Sequence, residues 1–309
     1  MHRFLSFIQS HVGVVFCSAL IVGLLFPIPW KDITSLLMPL MIFLLYLSFL
    51  HVDTSHVVAE FQRPWYLVRH IFLQYVLLPI LFFFGLRLAG FPTLATAVFL
   101  LACMPAGLGS PVFTGIANGR IATSVVLSVL THILVPLSVP FLFWAFADTH
   151  VAIDIMGMAQ KLAILIGIPV VLAWVSRYFF SHIVVATKSY HKLFSIIALA
   201  AVAYVVIVPY SSTILHDIFT VIPLLLGTYV FFVVLCVSSF FLSFGTIPQE
   251  RIAIIVSRIY MNNALGIVLA AQFLPPDVTL ITILSEIPWF TTFGLYLWFQ
   301  RRFIKADHE

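Results

Sequence analysis

Charged residues are scarce in this sequence. Only 8% of its 309 residues are Asp, Glu, Lys or Arg, whereas a soluble domain carries about a quarter. Hydrophobic residues make up 62% of the chain. This balance excludes a soluble globular protein and predicts an integral membrane protein. The net charge of +4 gives no reason to expect a nucleic-acid partner, because a membrane protein concentrates Lys and Arg in its cytoplasmic loops.

Cysteine is also scarce, with three residues in the whole chain. Cys17, Cys103 and Cys236 lie in separate apolar segments without CxxC or Cys/His spacing. The spacing argues against a disulfide framework or a cysteine-ligated metal site. We expect three buried apolar side chains, no metal site and no cofactor.

Apolar runs, by contrast, fill most of the chain. A helix needs roughly 20 such residues to cross a bilayer, and the loops between the runs are short. The sequence therefore predicts an all-α bundle of ten transmembrane helices without an extramembrane domain. The predicted spans are residues 12–29, 33–51, 65–89, 92–118, 121–147, 158–180, 189–210, 216–244, 250–274 and 277–300.

The cations between these spans fall mostly on one side. With ten spans both termini share that side, which holds ten Lys or Arg residues against three on the other. Positive loops mark the cytoplasmic side, so both termini are predicted to be cytoplasmic in a bacterial inner or plasma membrane. The ten are Arg3, Arg63, Arg120, Arg177, Lys188, Lys192, Arg251, Arg301, Arg302 and Lys305, and the three are Lys31, Arg87 and Lys161.

The two halves of the chain follow the same order of spans. Spans 1–5 and spans 6–10 correspond at an offset of roughly half the chain, and five spans per half make the second half inverted. Inverted repeats are a recurring construction of secondary transporters. We predict a single transporter domain over 1–309, with repeats of about 1–150 and 151–309.

Helix-breaking residues cluster in the middle of span 4. The stretch MPAGLGSP (104–111) contains Pro105, Gly107, Gly109 and Pro111. Interrupted backbone at membrane depth survives only where protein buries it or where it lines a wet cavity. The alternative is a simple proline kink, since prolines are common in membrane helices.

Span 9 carries a polar cluster at the matching position. The stretch SRIYMNNALG (257–266) includes Arg258, Asn262 and Asn263 in an otherwise apolar run. Paired interruptions in two halves are the best sequence indicator of a transport site. We therefore expect spans 4 and 9 to be broken and to cross at the site.

A polar stripe follows in span 5. Ser124, Ser128, Thr131 and His132 recur at helical spacing, so they share one face of the helix. The stripe predicts a cavity lining next to the breaks. The alternative is that these hydroxyls pack helices together or bond back to carbonyls.

Three stretches carry a family resemblance: CMPAGLGSPVFTGIANG (103–119), QYVLLP (74–79) and MNNALGIVLA (261–270). Here the chain resembles the bile acid:sodium symporter family, in the superfamily that includes arsenite permeases and auxin efflux carriers. The resemblance implies interleaved panel and core subdomains, with spans 4 and 9 crossing at the substrate site. The candidate substrate-binding or crossover residues are Pro105, Gly107, Gly109, Ser110, Pro111, Thr114, Arg258, Asn262, Asn263 and Glu286.

The resemblance also implies where sodium would bind. The family's first sodium site falls on Ser110, Pro111, Ser124, Ser128 and Ser257, and its second on Gln74, Ser257, Tyr260 and Met261. Ser257 stands where the family has a glutamate, and Pro111 and Met261 replace an asparagine and a glutamine. Sodium prefers oxygen ligands that include a carboxylate. Both sites are therefore degenerate, and we expect transport without the usual sodium sites.

Two charged residues remain inside predicted spans. Arg258 is a candidate anion contact or a fixed replacement for the cation, and an intramembrane charge such as Glu286 is a functional candidate by default. Glu286 and His132 are candidate proton-coupling groups. The alternative for the charges is a structural ion pair between Arg258 and Glu286.

The leading hypothesis is a secondary transporter or facilitator for a small organic anion or amphipathic solute. Its partners are then the solute and the lipid bilayer. The alternative is a proton-coupled or uniport permease for a metalloid or another small solute. SEIPWF (285–290) resembles the last helix of the arsenite-permease branch, but that branch's span 4 cysteine is missing near Ala106. A distant alternative is an intramembrane serine hydrolase using Ser110 and His132, although Pro111 removes a backbone N–H that could serve as an oxyanion donor.

Overall fold

The computed structural model describes residues 12–29, 32–50, 64–146 and 153–304. Nearly all of these residues are helical. Short 3₁₀ turns lie at Ile33–Leu36 and Val208–Tyr210, and a π-helical turn lies at Leu73–Leu77. The α-helices of the described residues are α1 (Val12–Leu25), α2 (Leu37–Phe49), α3 (Pro64–Phe72), α4 (Leu78–Leu88), α5 (Pro92–Cys103), α6 (Ser110–Ile116), α7 (Ile121–Phe146), α8 (Ile155–Phe179), α9 (Ser181–Ile207), α10 (Ser211–His216), α11 (Ile218–Leu242), α12 (Pro248–Ile259), α13 (Asn263–Phe273), α14 (Pro276–Leu284), α15 (Glu286–Thr291) and α16 (Phe293–Phe303).

The helices are those of a multi-pass integral membrane protein. Five helical stretches of the described chain are long and apolar enough to cross a bilayer. If a pair of helices bent by 55° is counted as one span, there are six. The five are Trp65–Leu88, Ile121–Phe146, Ile155–Phe179, Leu193–His216 and Ile218–Leu242, and the bent pair is Pro276–Thr291 with Phe293–Phe303. The ten-span count remains a prediction, partly because spans 4 and 9 are split into halves shorter than a bilayer.

Some predicted boundaries differ from the structure. Helix α9 runs from Ser181 to Ile207, so the residues predicted as the loop between spans 6 and 7, 181–188, are all helical. Span 10 is interrupted at Ser285 and Thr292. Pro288 accounts for the first interruption, since proline lacks an N–H and its ring clashes with the carbonyl four residues earlier. Cys17 is exposed rather than buried, because lipid is as apolar an environment for a thiol as the protein interior.

The chain divides into two compact units. The first consists of Met1–Val52 and Lys161–Ile222. Within it, α9 packs against both α1 and α2. The second consists of Asp53–Gln160 and Pro223–Glu309. Each unit therefore takes one segment from each half of the chain.

The broken helices form the centre of the second unit. Helix α5 packs against α4, α13 and α14, while α12 packs against α6 and α7. Residues 97–103 of α5 and 252–258 of α12 are buried on every side. An ion pair also connects the start of α7 to the start of α12, since the guanidinium group of Arg120 lies 2.7 Å from the Glu250 carboxylate. The two interrupted helices are thus held inside protein, as unwound backbone in a membrane requires.

Candidate functional site

Helix α5 ends because of the residue that follows it. Met104 has extended backbone angles of φ −68° and ψ 146°, which is the region that a residue preceding proline prefers. Pro105 then supplies no N–H to continue the helix. The chain resumes a helix only at Ser110, where Pro111 lies in the first turn of α6. Residues 104–109 are therefore unwound, inside the predicted break.

Helix α12 is interrupted in a different way. It ends at Ile259, and Tyr260 leaves the helical region with φ −93° and ψ 53°. Asn262 begins α13 as its N-cap, because its side-chain oxygen accepts a 3.2 Å hydrogen bond from the backbone N–H of Leu265. Asparagine is among the preferred residues at this position. Residues 260–262 separate the two half-helices.

The two unwound segments cross and pair through their backbones. Ala106 and Met261 form an antiparallel bridge. The N–H of Gly107 donates to the carbonyl of Tyr260 over 2.7 Å, and the N–H of Asn262 donates to the carbonyl of Pro105 over 2.8 Å. These bonds satisfy polar groups that the broken helices leave unpaired. We call residues 104–109 and 260–262 the crossover.

Glycine at position 107 is required by this close approach. A Cβ atom there would lie 2.5 Å from the carbonyl oxygen of Tyr260 and 3.2 Å from that of Met261. Gly109 differs, since a Cβ atom added there would meet nothing within 4 Å. The two glycines of the break therefore have different roles.

The polar stripe of α7 holds the span 4 side of the crossover. Thr131 Oγ1 accepts a 3.0 Å bond from the N–H of Ala106. Ser128 Oγ lies 2.9 Å from the carbonyl oxygen of Ala106 and 2.7 Å from that of Gly107, so it donates to this pair. These hydroxyls satisfy the unwound backbone, and Thr131 Oγ1 also donates back to the Leu127 carbonyl over 2.6 Å. The four side chains of the stripe are buried, and the cavity lining stays a prediction.

His132 connects the stripe to the span 9 side. Its Nδ1 lies 2.8 Å from the carbonyl oxygen of Ser128, and its Nε2 lies 3.1 Å from Nδ2 of Asn262. A carbonyl can only accept, so Nδ1 carries the proton and Nε2 accepts from the amide. The ring is fully buried. Nδ1 thus ties the ring to its own helix while Nε2 binds the crossover at Asn262, and the role in proton coupling stays a prediction.

Three serines form a buried chain of hydroxyls beside the crossover. Ser110 Oγ lies 3.0 Å from Ser124 Oγ, which lies 2.8 Å from Ser257 Oγ. The structure brings together these three of the five positions of the first predicted sodium site, while Ser128 bonds the crossover instead. No group of three or more His, Cys, Asp or Glu side chains with metal-binding geometry occurs in the described part of the chain. The arrangement offers neutral oxygens without a carboxylate.

The second predicted sodium site is not assembled through hydrogen bonds. Gln74 pairs with Ser239 of α11, which donates from Oγ to Gln74 Oε1 over 3.0 Å. The amide nitrogen of Gln74 donates to the Ser239 carbonyl over 3.4 Å. Gln74 lies in the π-helical turn, a feature often found near functional sites. Its polar partner is therefore on a helix that the sequence analysis did not connect with the site.

Arg258 binds carbonyl oxygens rather than a carboxylate. Its guanidinium group donates from Nη1 to the Met104 carbonyl over 3.3 Å and from Nη2 to the Ala102 carbonyl. The guanidinium carbon lies 4.7 Å from the centre of the Tyr75 ring. Among the described residues no ion pair joins it to Glu286. The side chain is fully buried and reaches the carbonyl end of α5.

Glu286 occupies a separate buried position at the start of α15. It is 4% exposed, and it follows Ser285, whose hydroxyl lies beside the Asn263 side chain. Asn263 donates from Nδ2 to Ser285 Oγ over 3.0 Å. The bond between Asn263 and Ser285 joins the first turn of α13 to the interruption of span 10 at Ser285.

The sequence also matches known proteins. The pattern described as the Sodium Bile acid symporter family matches residues 38–220, which is more than half of the chain. The chain belongs to this family. An uncharacterized sodium-dependent transporter, YocS of Bacillus subtilis, is 26% identical over 221 residues, covering 70% of this chain and 67% of that protein. The probable sodium/metabolite cotransporter BASS1 of Arabidopsis thaliana chloroplasts is 28% identical over 109 residues, covering 35% of this chain and 27% of that protein.

Members of the symporter family are transporters, and the hydrolase alternative finds no geometric support. A serine hydrolase needs its base beside the nucleophile. Ser110 bonds Ser124 instead, and the ring nitrogens of His132 bond Ser128 and Asn262. None of these bonds joins Ser110 to His132.

The sequence analysis did not single out three residues that contact the broken helices or Arg258. Trp289 donates from its indole N–H to the Met261 carbonyl over 3.1 Å, and Gln300 donates to the Ala117 carbonyl over 2.7 Å. Tyr75 lies under the Arg258 guanidinium group. Trp289 adjoins Pro288 in a stretch already singled out for its glutamate, which was the available signal. Thr114, which was predicted, is fully buried with no hydrogen-bond partner for its hydroxyl among the described residues.

Proposed function

We propose that this chain carries a small organic anion or another amphipathic solute across the membrane by alternating access. The crossover is the observation that supports this function most directly. Interrupted helices in corresponding parts of two inverted repeats are where secondary transporters bind their solutes. Gly109 is exposed and Pro111 and Asn262 are partly exposed, so the solute contacts are assigned to this edge of the crossover.

The division of the chain supports an inverted repeat of ten spans. Each compact unit takes a segment from each half: 1–52 with 161–222, and 53–160 with 223–309. A duplicated five-span precursor would divide in this way, because each copy would contribute equivalent spans to both units. We assign these units to the panel and core that the family resemblance implies.

Transport is proposed to proceed without sodium at the family's usual positions. YocS and BASS1 are described as sodium-dependent or sodium-coupled. In this chain the corresponding positions provide the hydroxyl chain of Ser110, Ser124 and Ser257. A hard cation that sheds its water needs strong oxygen ligands, usually with a carboxylate to offset its charge. Neutral hydroxyls alone supply no such charge.

A second candidate is proton-coupled transport of a metalloid or another small solute, and Glu286 favours it. Its side chain is buried. No Lys, Arg or His forms an ion pair with it among the residues that the structure describes. An unpaired charge in such a place is costly, so the group would bind a proton while buried and release it when exposed.

The orientation proposed from the sequence is that of a bacterial inner-membrane protein with both termini in the cytoplasm. It rests on the asymmetry of ten cations against three between predicted loops. The rule applies to short loops such as these.

The proposal is tested by measuring unfolding temperatures of the purified protein with small carboxylates, sterol conjugates and metalloids. A ligand that binds only the folded state raises this temperature by mass action. Each solute is tested in sodium chloride and in choline chloride. Asn262→Ala provides the variant at the crossover, and Gln272→Ala, on the same half-helix, provides the control.

We expect an organic anion to stabilise the wild type equally in both salts, and the Gln272 variant likewise. The Asn262 variant should lose this response relative to its own ligand-free temperature. Uptake of the same solute into proteoliposomes should persist when choline replaces sodium at constant pH. Strict dependence on a sodium gradient would refute the sodium-independent mechanism, and an unchanged ligand response in the Asn262 variant would refute the assigned solute site.

A further inference from the structure

The carbonyl end of α5 is left without its own hydrogen-bond donors. In a continuous helix the Ala102 carbonyl would accept from the N–H of residue 106, and the next carbonyl from that of residue 107. Both donors are diverted. Ala106 donates to Thr131 Oγ1 over 3.0 Å, and Gly107 donates to the Tyr260 carbonyl over 2.7 Å.

Arg258 supplies donors to this end of α5. Its guanidinium group donates to the carbonyls of Ala102 and Met104. The C-terminal end of a helix carries partial negative charge, which a cation stabilises. The low dielectric of a buried site strengthens this attraction. The charge is also over the face of the Tyr75 ring, at 4.7 Å from its centre, where the ring quadrupole attracts it.

The charge of Arg258 is not used elsewhere in the described part of the chain. No carboxylate forms an ion pair with it there, and Nε has no hydrogen-bond partner. The side chain is fully buried, so it does not offer a surface to a solute in this conformation. Its contacts are therefore those of a positioning residue, not of an anion contact.

We infer that the Arg258 guanidinium group is a tethered cation, which neutralises the broken end of α5 permanently and so replaces an exchangeable alkali ion. This inference rests on the proposed function, in which sodium does not drive transport. Arginine keeps its charge at any ordinary pH and cannot leave the helix that carries it. The crossover therefore holds the same charge throughout the transport cycle, and any coupling ion must bind elsewhere.

The experiment compares thermal unfolding of Arg258→Ala, Arg258→Met and Arg258→Lys in detergent. Arg251 offers a matched control on the same helix. It donates from Nε to the Ser243 carbonyl over 3.4 Å and lies 5.1 Å from the centre of the Phe240 ring, but it is remote from the crossover. Arg251→Ala removes the same kind of side chain with the same kinds of contact.

We expect Arg258→Ala to lower the unfolding temperature on the order of 5–10 °C, more than Arg251→Ala does. Low concentrations of methylguanidinium chloride or sodium chloride should restore a large part of the lost unfolding temperature in Arg258→Ala. The reference for both salts is choline chloride at the same ionic strength. Neither salt should stabilise the wild type or the Arg251 variant. Arg258→Lys keeps the charge and should remain more stable than Arg258→Met, which has similar size without charge.

Two results would each overturn the inference. One is an alanine variant that no cation of the set restores. The other is a lysine variant no more stable than the methionine variant, a comparison that stays informative if the alanine variant fails to fold. Neither measurement requires transport, so a protein that moves no solute would refute the proposed function and leave the tethered cation to be judged by stability alone.

Discussion

The closest contact of the crossover makes Gly107→Ala the most discriminating substitution. The added Cβ atom would lie 2.5 Å from the Tyr260 carbonyl oxygen, nearly 1 Å short of the 3.4 Å at which ordinary contact begins. Neither atom belongs to a flexible side chain that could move aside. The unwound segments must therefore separate, which stretches the 2.7 Å bond from Gly107 to Tyr260 beyond about 3.5 Å, where it is no longer a hydrogen bond.

The expected loss follows from the groups left without partners. One or two buried crossover bonds would be broken, namely Gly107 to Tyr260 and Asn262 to Pro105. Each buried polar group left unsatisfied costs about 1–3 kcal/mol, so the substitution should remove about 2–4 kcal/mol of stability. For a chain of this size that corresponds to a fall in unfolding temperature on the order of 5–10 °C.

Gly109→Ala is the matched control for this measurement. It adds the same methyl group two residues away, where nothing lies within 4 Å, and its φ of −84° suits alanine. Both variants would be followed by thermal unfolding in detergent and by solute uptake into proteoliposomes. If the two variants unfold at the same temperature, the crossover does not have the close backbone approach described here.

Three further substitutions test other parts of the site and topology. Ser128→Ala removes the donor to the crossover carbonyls and should lower the free energy of unfolding by about 1–3 kcal/mol. Ser138→Ala, on the same helix, is the control and should leave the unfolding temperature unchanged. Equal effects of the two substitutions would contradict the assigned role of Ser128. Glu286→Gln keeps the shape but not the titratable proton, so it should abolish uptake driven by a pH gradient while the protein still folds. A persistent response to the gradient would exclude Glu286 as the proton carrier. In a cysteine-free background, single cysteines at Met156 and Val185 should react with an impermeant reagent from opposite sides of the membrane, and labelling of both from one side would contradict the ten-span topology.

The interruptions were predictable because their causes are local. Pro105 prevents continuation of α5 whatever surrounds it, and the structure interrupts the chain at 104–109 and 260–262, inside the stretches singled out from the sequence. The interruption of span 10 at Ser285 was missed although Pro288 was visible, because a single proline in a membrane helix is compatible with a continuous helix. Helix α7 illustrates this, since it remains continuous through Pro136 and Pro140.

The partners of the polar side chains were less predictable. The sequence analysis considered Arg258 as an anion contact, as a replacement for a bound cation or as an ion-pair partner of Glu286. In the structure its guanidinium group donates to the carbonyls of Ala102 and Met104. A backbone carbonyl that accepts a hydrogen bond cannot be recognised from the residue type, because every residue has a backbone carbonyl. Gln74 is a similar case, since Ser239 lies 165 positions away in the sequence.

The sequence by itself determined that this is a helical membrane protein with family motifs, and it determined where two helices break. Hydrophobic run length, proline and glycine act on their own segment, so their effects can be read locally. The tertiary structure decided which groups the breaks present to one another. It pairs Gly107 with Tyr260, gives the crossover carbonyls to Ser128, and sets Arg258 at the end of α5 rather than beside Glu286. The residues in contact lie more than 20 positions apart for Ser128 and more than 150 positions apart for Gly107 and Arg258. In an apolar environment each buried polar group must bind a partner inside the protein, and only the fold determines which partner is within reach.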